Sequence, residues 1–369
     1  MDPDIVSWAP LRRLLLVPAL LGAGAVVAQE AATAASLAET ADRLFQRCAR
    51  PGVPGAVVLV GRGDEILLQR AYGLADLERG VSLSVESVFD IGSTSKQFTA
   101  ACVLLLADEG KLALADPVRK HVAELPACCD VVTLRHMLLH TSGLPDYIGL
   151  MIEAGVDVED RTTADEALAS LGRIDALEFA PGSKWAYSNS NYFLLGEVVA
   201  RTAKRSLAEF ARERIFVPLG MDHTHVHVDA TQLVPDRALS YSRQPRGAWR
   251  WNFSNWEQTG DGAVFTTVGD LFRWSRNFRT GTVGGDGLLR AMSQPGSLDD
   301  GTAIEYGTGL MHVTVGGTAM VAHGGAWAGY RAELLRVPEH DLVVVCLCNR
   351  DDLDPERLCR SLAAAAMRR

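Results

Sequence analysis

Apolar positions follow two rhythms along the chain. Ala56–Gly61 and Glu65–Ala71 are short aliphatic runs separated by Gly61-Arg62-Gly63-Asp64, which predicts two strands and a turn. Ahead of them, residues 31–47 carry apolar side chains at helical spacing. From Ser95 to Glu109 the segment Lys-Gln-Phe-Thr-Ala-Ala-Cys-Val-Leu-Leu-Leu predicts a buried helix that opens at Gly92-Ser93 and ends at Gly110. Residues 111–258 are richer in helix and loop signals, with helices expected at Thr133–Leu139, Thr163–Leu171, Ser190–Thr202 and Ser206–Ile215. The last hundred residues return to strand patterns at Gly309–Val315, Ala319–His323, Tyr330–Val337 and Leu342–Leu347, before a closing helix over about Pro355–Met367. Strands at both ends with helices between them predict an α+β fold. Its sheet domain is drawn from residues 29–110 and 259–369, with a mainly helical domain inserted at 111–258.

A chain of 369 residues, 48% apolar and 22% charged, can bury a large core, which excludes a mainly disordered, collagen-like or disulfide-stapled small protein. The balance of 36 basic against 45 acidic residues gives −9 with no basic block, a poor match to nucleic acid. Arg12 and Arg13 precede fifteen uncharged residues, Leu14 to Ala28, ending in Val26-Val27-Ala28. That run falls short of the roughly 20 residues of a membrane span. It reads as a signal peptide over 1–28, so the expectation is an exported protein, periplasmic or secreted, without a membrane span after processing. An anchoring helix and a twin-arginine signal are the other readings of the same residues. The seven cysteines (Cys48, Cys102, Cys128, Cys129, Cys346, Cys348 and Cys359) are odd in number and scattered, so they define no disulfide framework. They read as buried thiols, and the lack of paired C-x-x-C knuckles speaks against structural zinc.

Three short segments carry chemistry. In Ser93-Thr94-Ser95-Lys96 the i, i+3 spacing puts Ser93 and Lys96 on one face of a helix start. There the dipole favours developing negative charge, and a desolvated amine can take a hydroxyl proton. The alternative is a helix cap made by Ser93 or Ser95. In Tyr187-Ser188-Asn189 a phenol able to shuttle protons precedes an amide able to hold a carbonyl or Lys96. Against this stands a Tyr packing a domain interface and an Asn in a helix-entry turn. His323-Gly324-Gly325 follows the apolar run Ala319–Ala322, where bare glycines admit another backbone or a ligand. Amides just beyond could form an oxyanion hole; the plain alternative is a strand end with a glycine turn.

Together, in the order S-x-x-K, Y-x-N, H-x-G, these segments resemble those of the serine β-lactamase and penicillin-binding-protein superfamily, in its class C β-lactamase-related branch. Phe89–Thr99, Leu134–Pro145, Pro218-Leu219-Gly220-Met221 and Asp270–Trp274 look like that family too, so the likeness runs from about residue 40 to 350. The resemblance implies an antiparallel sheet flanked by helices with the helical insert. It makes Ser93 the acylated nucleophile, with Lys96 and Tyr187 sharing the proton traffic and the choice of base left open. Asn189 and His323, with Gly324 and Gly325, would hold the substrate, and the backbone amides of Ser93 and Ala326 would form the oxyanion hole. No cofactor is implied. The expected partner is a small-molecule ester, peptide or β-lactam substrate, and nothing fixes the oligomeric state.

Class C β-lactamases usually carry Lys-Thr-Gly where this chain has His323-Gly324-Gly325. An imidazole is mostly neutral near pH 7 and suits a substrate carboxylate less than a lysine does. The expectation is therefore hydrolysis of an ester, or of a D-amino-acid-containing peptide or amide, as by an esterase, peptidase or carboxypeptidase. A β-lactamase and a non-catalytic penicillin- or peptide-binding protein are the alternatives. A metal-dependent hydrolase is a weaker one. His136 and His140 have i, i+4 spacing but lack a zincin's glutamate between them, and His223, His225 and His227 alternate. Trp249, Trp251 and Trp256 read either as cleft lining or as loop packing.

Overall fold

Eight strands form the main sheet: Ala56–Arg62 (β1), Glu65–Tyr72 (β2), Pro295–Ser297 (β3), Ala303–Gly307 (β4), Met311–Val315 (β5), Thr318–Trp327 (β6), Tyr330–Val337 (β7) and Leu342–Cys348 (β8). They are hydrogen-bonded in the order β3-β4-β5-β6-β7-β8-β1-β2, and every pair is antiparallel. The first strand thus pairs with the last, Ala56 opposite Cys348 and Arg62 opposite Leu342. The computed structural model describes residues 36–368; the signal-peptide reading of residues 1–28 lies outside the described residues.

The apolar runs of β1 and β8 are continuous because both faces of the sheet are covered. Alternate residues feed two separate cores. Val57 and Leu59 join one, with Val343, Val345 and Leu347. Ala56, Val58 and Val60 join the other, with Val344, Cys346 and Cys348. The second core is closed by a helix over residues 36–44 (α1) and by the terminal helix Pro355–Met367 (α7), through Leu37, Ala41, Leu362 and Ala366. All seven cysteines are free thiols, and six of them are buried.

The first core is centred on Lys96–Asp108 (α2), which is buried all round from Lys96 to Leu106. A helix apolar on every side belongs in the middle of a protein. Burying Phe98, Val103 and Leu106 contributes roughly 2 kcal/mol each before entropy is counted. Helices of the 111–258 region extend this core: Leu134–Leu138 (α3) and Tyr147–Glu153 (α4) pack on Asn189–Ala203 (α5), which packs on α2. The helix Val268–Thr280 (α6) brings Leu271 and Trp274 from the sheet side. Thr133, Thr163 and Ser206 cap helices through capping boxes, as their side chains accept the N3 amide. Among the described residues no helix is long and apolar enough to cross a membrane.

Three expectations shift at their ends. The helix from Ser206 is α-helical only over Leu207–Ala211 and continues as a π turn, Arg212–Phe216. The strand expected from Gly309 starts at Met311, because Gly309 has φ +76°. The largest change is in β6. The expected stop at His323 does not occur, and the strand continues through both glycines to Trp327, with Gly324 opposite Glu333 and Gly325 opposite Ala332. These glycines serve close approach. A Cβ on Gly325 would lie 1.9 Å from the Ile91 carbonyl oxygen and 2.9 Å from Thr94 Oγ1.

Gly325→Ala should therefore cost about 2 kcal/mol by overpacking, since backbone cannot yield as a side-chain tip does. Urea unfolding reads this directly, and an unchanged midpoint would mean that the strand does not press against the Ile91–Thr94 turn.

Candidate active site

Ser93 sits in a 3₁₀ turn, Gly92–Ser95, that leads into α2. No side chain caps this turn, so neither serine plays the cap role. Ser95 Oγ instead accepts the Val264 amide at 3.1 Å. Ser93 Oγ faces the functional groups. It lies 3.0 Å from Lys96 Nζ and accepts a hydrogen bond from the Tyr187 hydroxyl at 2.8 Å. Residues distant in the chain thus meet at one oxygen.

Lys96 is fully buried, and its amine has three neighbours: Ser93 Oγ, Asn189 Oδ1 at 2.9 Å and the Asp261 carbonyl at 2.7 Å. An ammonium donates to all three. A neutral amine donates to the two carbonyl oxygens and accepts from the serine hydroxyl. Both protonation states are satisfied without rearrangement, as a proton relay requires. The loop that supplies the Asp261 carbonyl is tied to α2 by Thr99 Oγ1, which donates to the Gly260 carbonyl at 2.7 Å.

Asn189 begins α5, and its orientation is fixed by Asp146, the N-cap of α4. Asp146 Oδ2 accepts from both the Asn189 amide N–H (2.9 Å) and Nδ2 (2.8 Å), while Oδ1 accepts from Ile148 N–H at 2.9 Å. The carboxamide oxygen is thereby turned to Lys96.

On the opposite wall, the Thr94 hydroxyl donates to the His323 carbonyl at 3.0 Å, which ties the nucleophile turn to β6. Gly92, at φ +48°, faces the Ala326 amide nitrogen so closely that a Cβ would come within 2.9 Å of it. Ser93 and Ala326 line the same hollow, and their amides can converge on an oxyanion. His323 is buried. Its Nδ1 donates to the Gly324 carbonyl at 2.7 Å, and Nε2 lies 3.2 Å from the Tyr306 hydroxyl. Burial, and then the charge of Lys96, push this imidazole down to about 4, so the ring is neutral near pH 7.

Two hollows meet at Ser93. An inner one of about 290 Å³ is walled by Tyr147, Trp256, Trp327 and Tyr330, and Asn189 also lines it. An outer one is lined by Tyr187, His323, Gly324 and Glu333, and by Asp354 and Glu356 at the start of α7. Of the three candidate tryptophans only Trp256 lines the inner hollow; Trp251 is half exposed and lies against Phe253 with the rings tilted by 33°.

Two site residues, Asp146 and Asp261, carry no mark in the sequence, whereas His140 falls in the family-like stretch Leu134–Pro145. Asp146 and Asp261 reach the site through folding alone. His140 stacks on Tyr187 with ring centroids 4.4 Å apart, and its Nδ1 accepts from the Ser188 amide at 3.2 Å. Burial first, then Lys96, hold it well below the usual imidazole range. His136 plays a separate part, accepting the Thr133 amide at its own helix start. His225 and His227 both pack on Phe265, and among the described residues no group of three or more potential metal ligands forms.

A family model described as Beta-lactamase matches residues 41–367. The chain belongs to the β-lactamase family. Within the serine β-lactamase and penicillin-binding-protein superfamily it is a serine hydrolase. Penicillin-binding protein 4* of Bacillus subtilis (strain 168) is 28% identical over 332 residues, which span 84% of this chain and 71% of that protein. A D-aminopeptidase of Brucella anthropi is 30% identical over 299 residues, 80% of this chain and 56% of that enzyme. The solved structure of an octameric penicillin-binding protein homologue from Pyrococcus abyssi superposes with a TM-score of 0.76 at 24% identity, covering 93% of this chain and 77% of that one. This β-lactamase-family chain thus has the expected fold, with the three sequence segments gathered around one hydroxyl.

Asp146→Ala should release the Asn189 carboxamide and lower kcat about 10- to 100-fold, as misplacement of a positioned group does. Steady-state hydrolysis of a p-nitrophenyl ester measures this, and a wild-type kcat would remove Asp146 from the positioning scheme.

Proposed function

We propose that the protein hydrolyses amides, peptides and esters of D-amino acids through an acyl-enzyme on Ser93. The observation that carries this reading is the joint reach of Lys96 Nζ (3.0 Å) and the Tyr187 hydroxyl (2.8 Å) to Ser93 Oγ, beside a neutral His323 rather than a fixed cation.

The Ser93 proton passes to the Lys96–Tyr187 pair as Oγ bonds to the substrate carbonyl carbon. The oxyanion is held by the Ser93 and Ala326 amides; one such donor typically stabilises the transition state by about 3 kcal/mol. The C–N or C–O bond then breaks, and the departing atom takes the proton back. Tyr187 lines the outer hollow and not the inner one, so the leaving group departs on that side. The acyl part lies in the inner aromatic hollow. Water, deprotonated by the same pair, attacks the acyl carbon and frees Ser93. Lack of a cation at His323 favours substrates without an obligatory carboxylate. The D-aminopeptidase relative supports a D-amino-acid acyl group. The leader-like residues 1–28 support an exported, periplasmic or secreted, enzyme.

A panel of D- and L-alanine p-nitroanilides, D-Ala-D-Ala peptides, short acyl p-nitrophenyl esters and nitrocefin, run on wild type and Ser93→Ala, tests the reading. The expected result is turnover of D- over L-alanyl substrates and of esters, weak nitrocefin turnover, and loss of at least about 10³-fold in Ser93→Ala. Fast nitrocefin turnover without D-alanyl turnover would make the protein a β-lactamase. A Ser93 penicillin adduct that never clears would make it a binder.

A further inference from the structure

The outer hollow is lined by a carboxylate that the mechanism above does not use. Glu333, on β7, is only 4% exposed and lies directly across from Gly324 in the strand register. Its side chain leans over that glycine: a Cβ on Gly324 would come within 2.9 Å of Glu333 Oε2. The carboxylate has no hydrogen-bond or ion-pair partner among the described residues. It lines the same hollow, about 480 Å³, as Ser93 and Tyr187. Gly324 and Glu333 face the α7 side of the sheet, opposite the face that Gly325 turns to the nucleophile turn, and the hollow passes from Ser93 to this acid, whose oxygens open into it, around the side-chain-free Gly324.

The other charges around it sharpen the sign. Asp354 and Glu356, at the start of α7, line the same hollow. Arg331, on β7, is turned to backbone carbonyls, those of Ala328 at 3.0 Å and Tyr330 at 2.6 Å. Arg360, on α7, pairs with Glu356 at 2.5 Å. Neither arginine closes on Glu333. A buried polar group is normally partnered, and one left open beside an active serine is suited to a ligand that brings the missing charge.

We propose that Glu333, with Asp354 beside it, forms a leaving-group subsite that selects substrates whose departing portion carries a cationic side chain or ammonium. The subsite refines the proposed function by naming the second half of the substrate. The attached cation reaches Glu333 around Gly324, while the scissile bond lies at Ser93 and the leaving atom at Tyr187. The chemistry is unchanged: Oγ–C forms, C–N breaks, and the amine departs with the proton returned by the Tyr187–Lys96 pair.

The subsite is also pH-dependent. In the empty hollow, burial first, then Glu356 and Asp354, push the Glu333 carboxyl up to about 8 against the pull of Arg360. Only the ionised form attracts a cation. The preference for cationic leaving groups is therefore present above about pH 8 and lost as the pH falls through it. A lysine ammonium, ordinarily near pKa 10, remains charged across that range.

The test compares D-alanyl-lysinamide with D-alanyl-norleucinamide, which differ in the terminal ammonium and share the acyl group. Wild type should favour the lysinamide in kcat/KM by about 10-fold or more at pH 9, and by less at pH 6. Glu333→Gln should abolish the preference and leave norleucinamide turnover in place. Equal kcat/KM for the pair in wild type, or a preference that survives Glu333→Gln, would overturn the subsite. Inhibition of p-nitrophenyl acetate hydrolysis by n-butylammonium against n-butanol reads the same subsite without a D-amino-acid substrate. A butylammonium preference without turnover of either dipeptide amide would retain the subsite and reject the D-amino-acid reading. No preference there, beside active D-alanyl hydrolysis, would do the reverse.

Discussion

Everything at the centre of this protein depends on keeping one amine dry and fully hydrogen-bonded. Lys96 has no solvent exposure, and its three partners come from its own helix turn, from the start of α5 and from the 260–263 loop. Losing any one of them would leave a buried amine unsatisfied, a penalty of about 1–3 kcal/mol or more. The requirement explains why α2 is apolar around its whole circumference. It holds the lysine in a water-free position by packing against α5 on one side and against Trp274 of α6, which itself lies on the sheet, on another.

The surrounding parts are ordered by the same demand. Asp146 turns Asn189 toward the lysine, Thr99 fixes the loop that offers its carbonyl, and His140 supports the ring of Tyr187 from behind. The glycines of β6 let the strand close against the nucleophile turn, and they also leave the outer hollow unobstructed. Stability and substrate access therefore share residues here. A larger side chain at Gly324 or Gly325 would affect both.

Much of this could be read from the sequence where the signal is local. The Ser93–Lys96 spacing lies within one helix turn, and the unbroken apolar runs of β1 and β8 fit a sheet covered on both faces. Tyr187, Asn189 and His323 stand out as candidate chemistry on their own, likeness to a family gives them roles, and the folded chain brings them to Ser93 or to its walls. What could not be read was non-local. Asp146 looks like an ordinary helix cap, Asp261 contributes only a backbone carbonyl to Lys96, and Glu333 is one acid in a strand whose depth comes from α7. The His-Gly-Gly segment reads either as a strand end with a glycine turn or as a stretch whose bare glycines admit another backbone or a ligand. Its continuation is imposed by pairing with β7, which nothing local in the segment specifies, while the close approach of Ile91 is the kind that its bare glycines admit.

The most direct test of the central claim is the rate at which a fluorophosphonate labels the protein, with the modified residue mapped by mass spectrometry. The account predicts a single adduct on Ser93, formed at least about 100-fold more slowly in both Lys96→Ala and Tyr187→Phe, since each removes one of the groups that takes the serine proton. Labelling at wild-type rate in either variant, or an adduct on another residue, would contradict it.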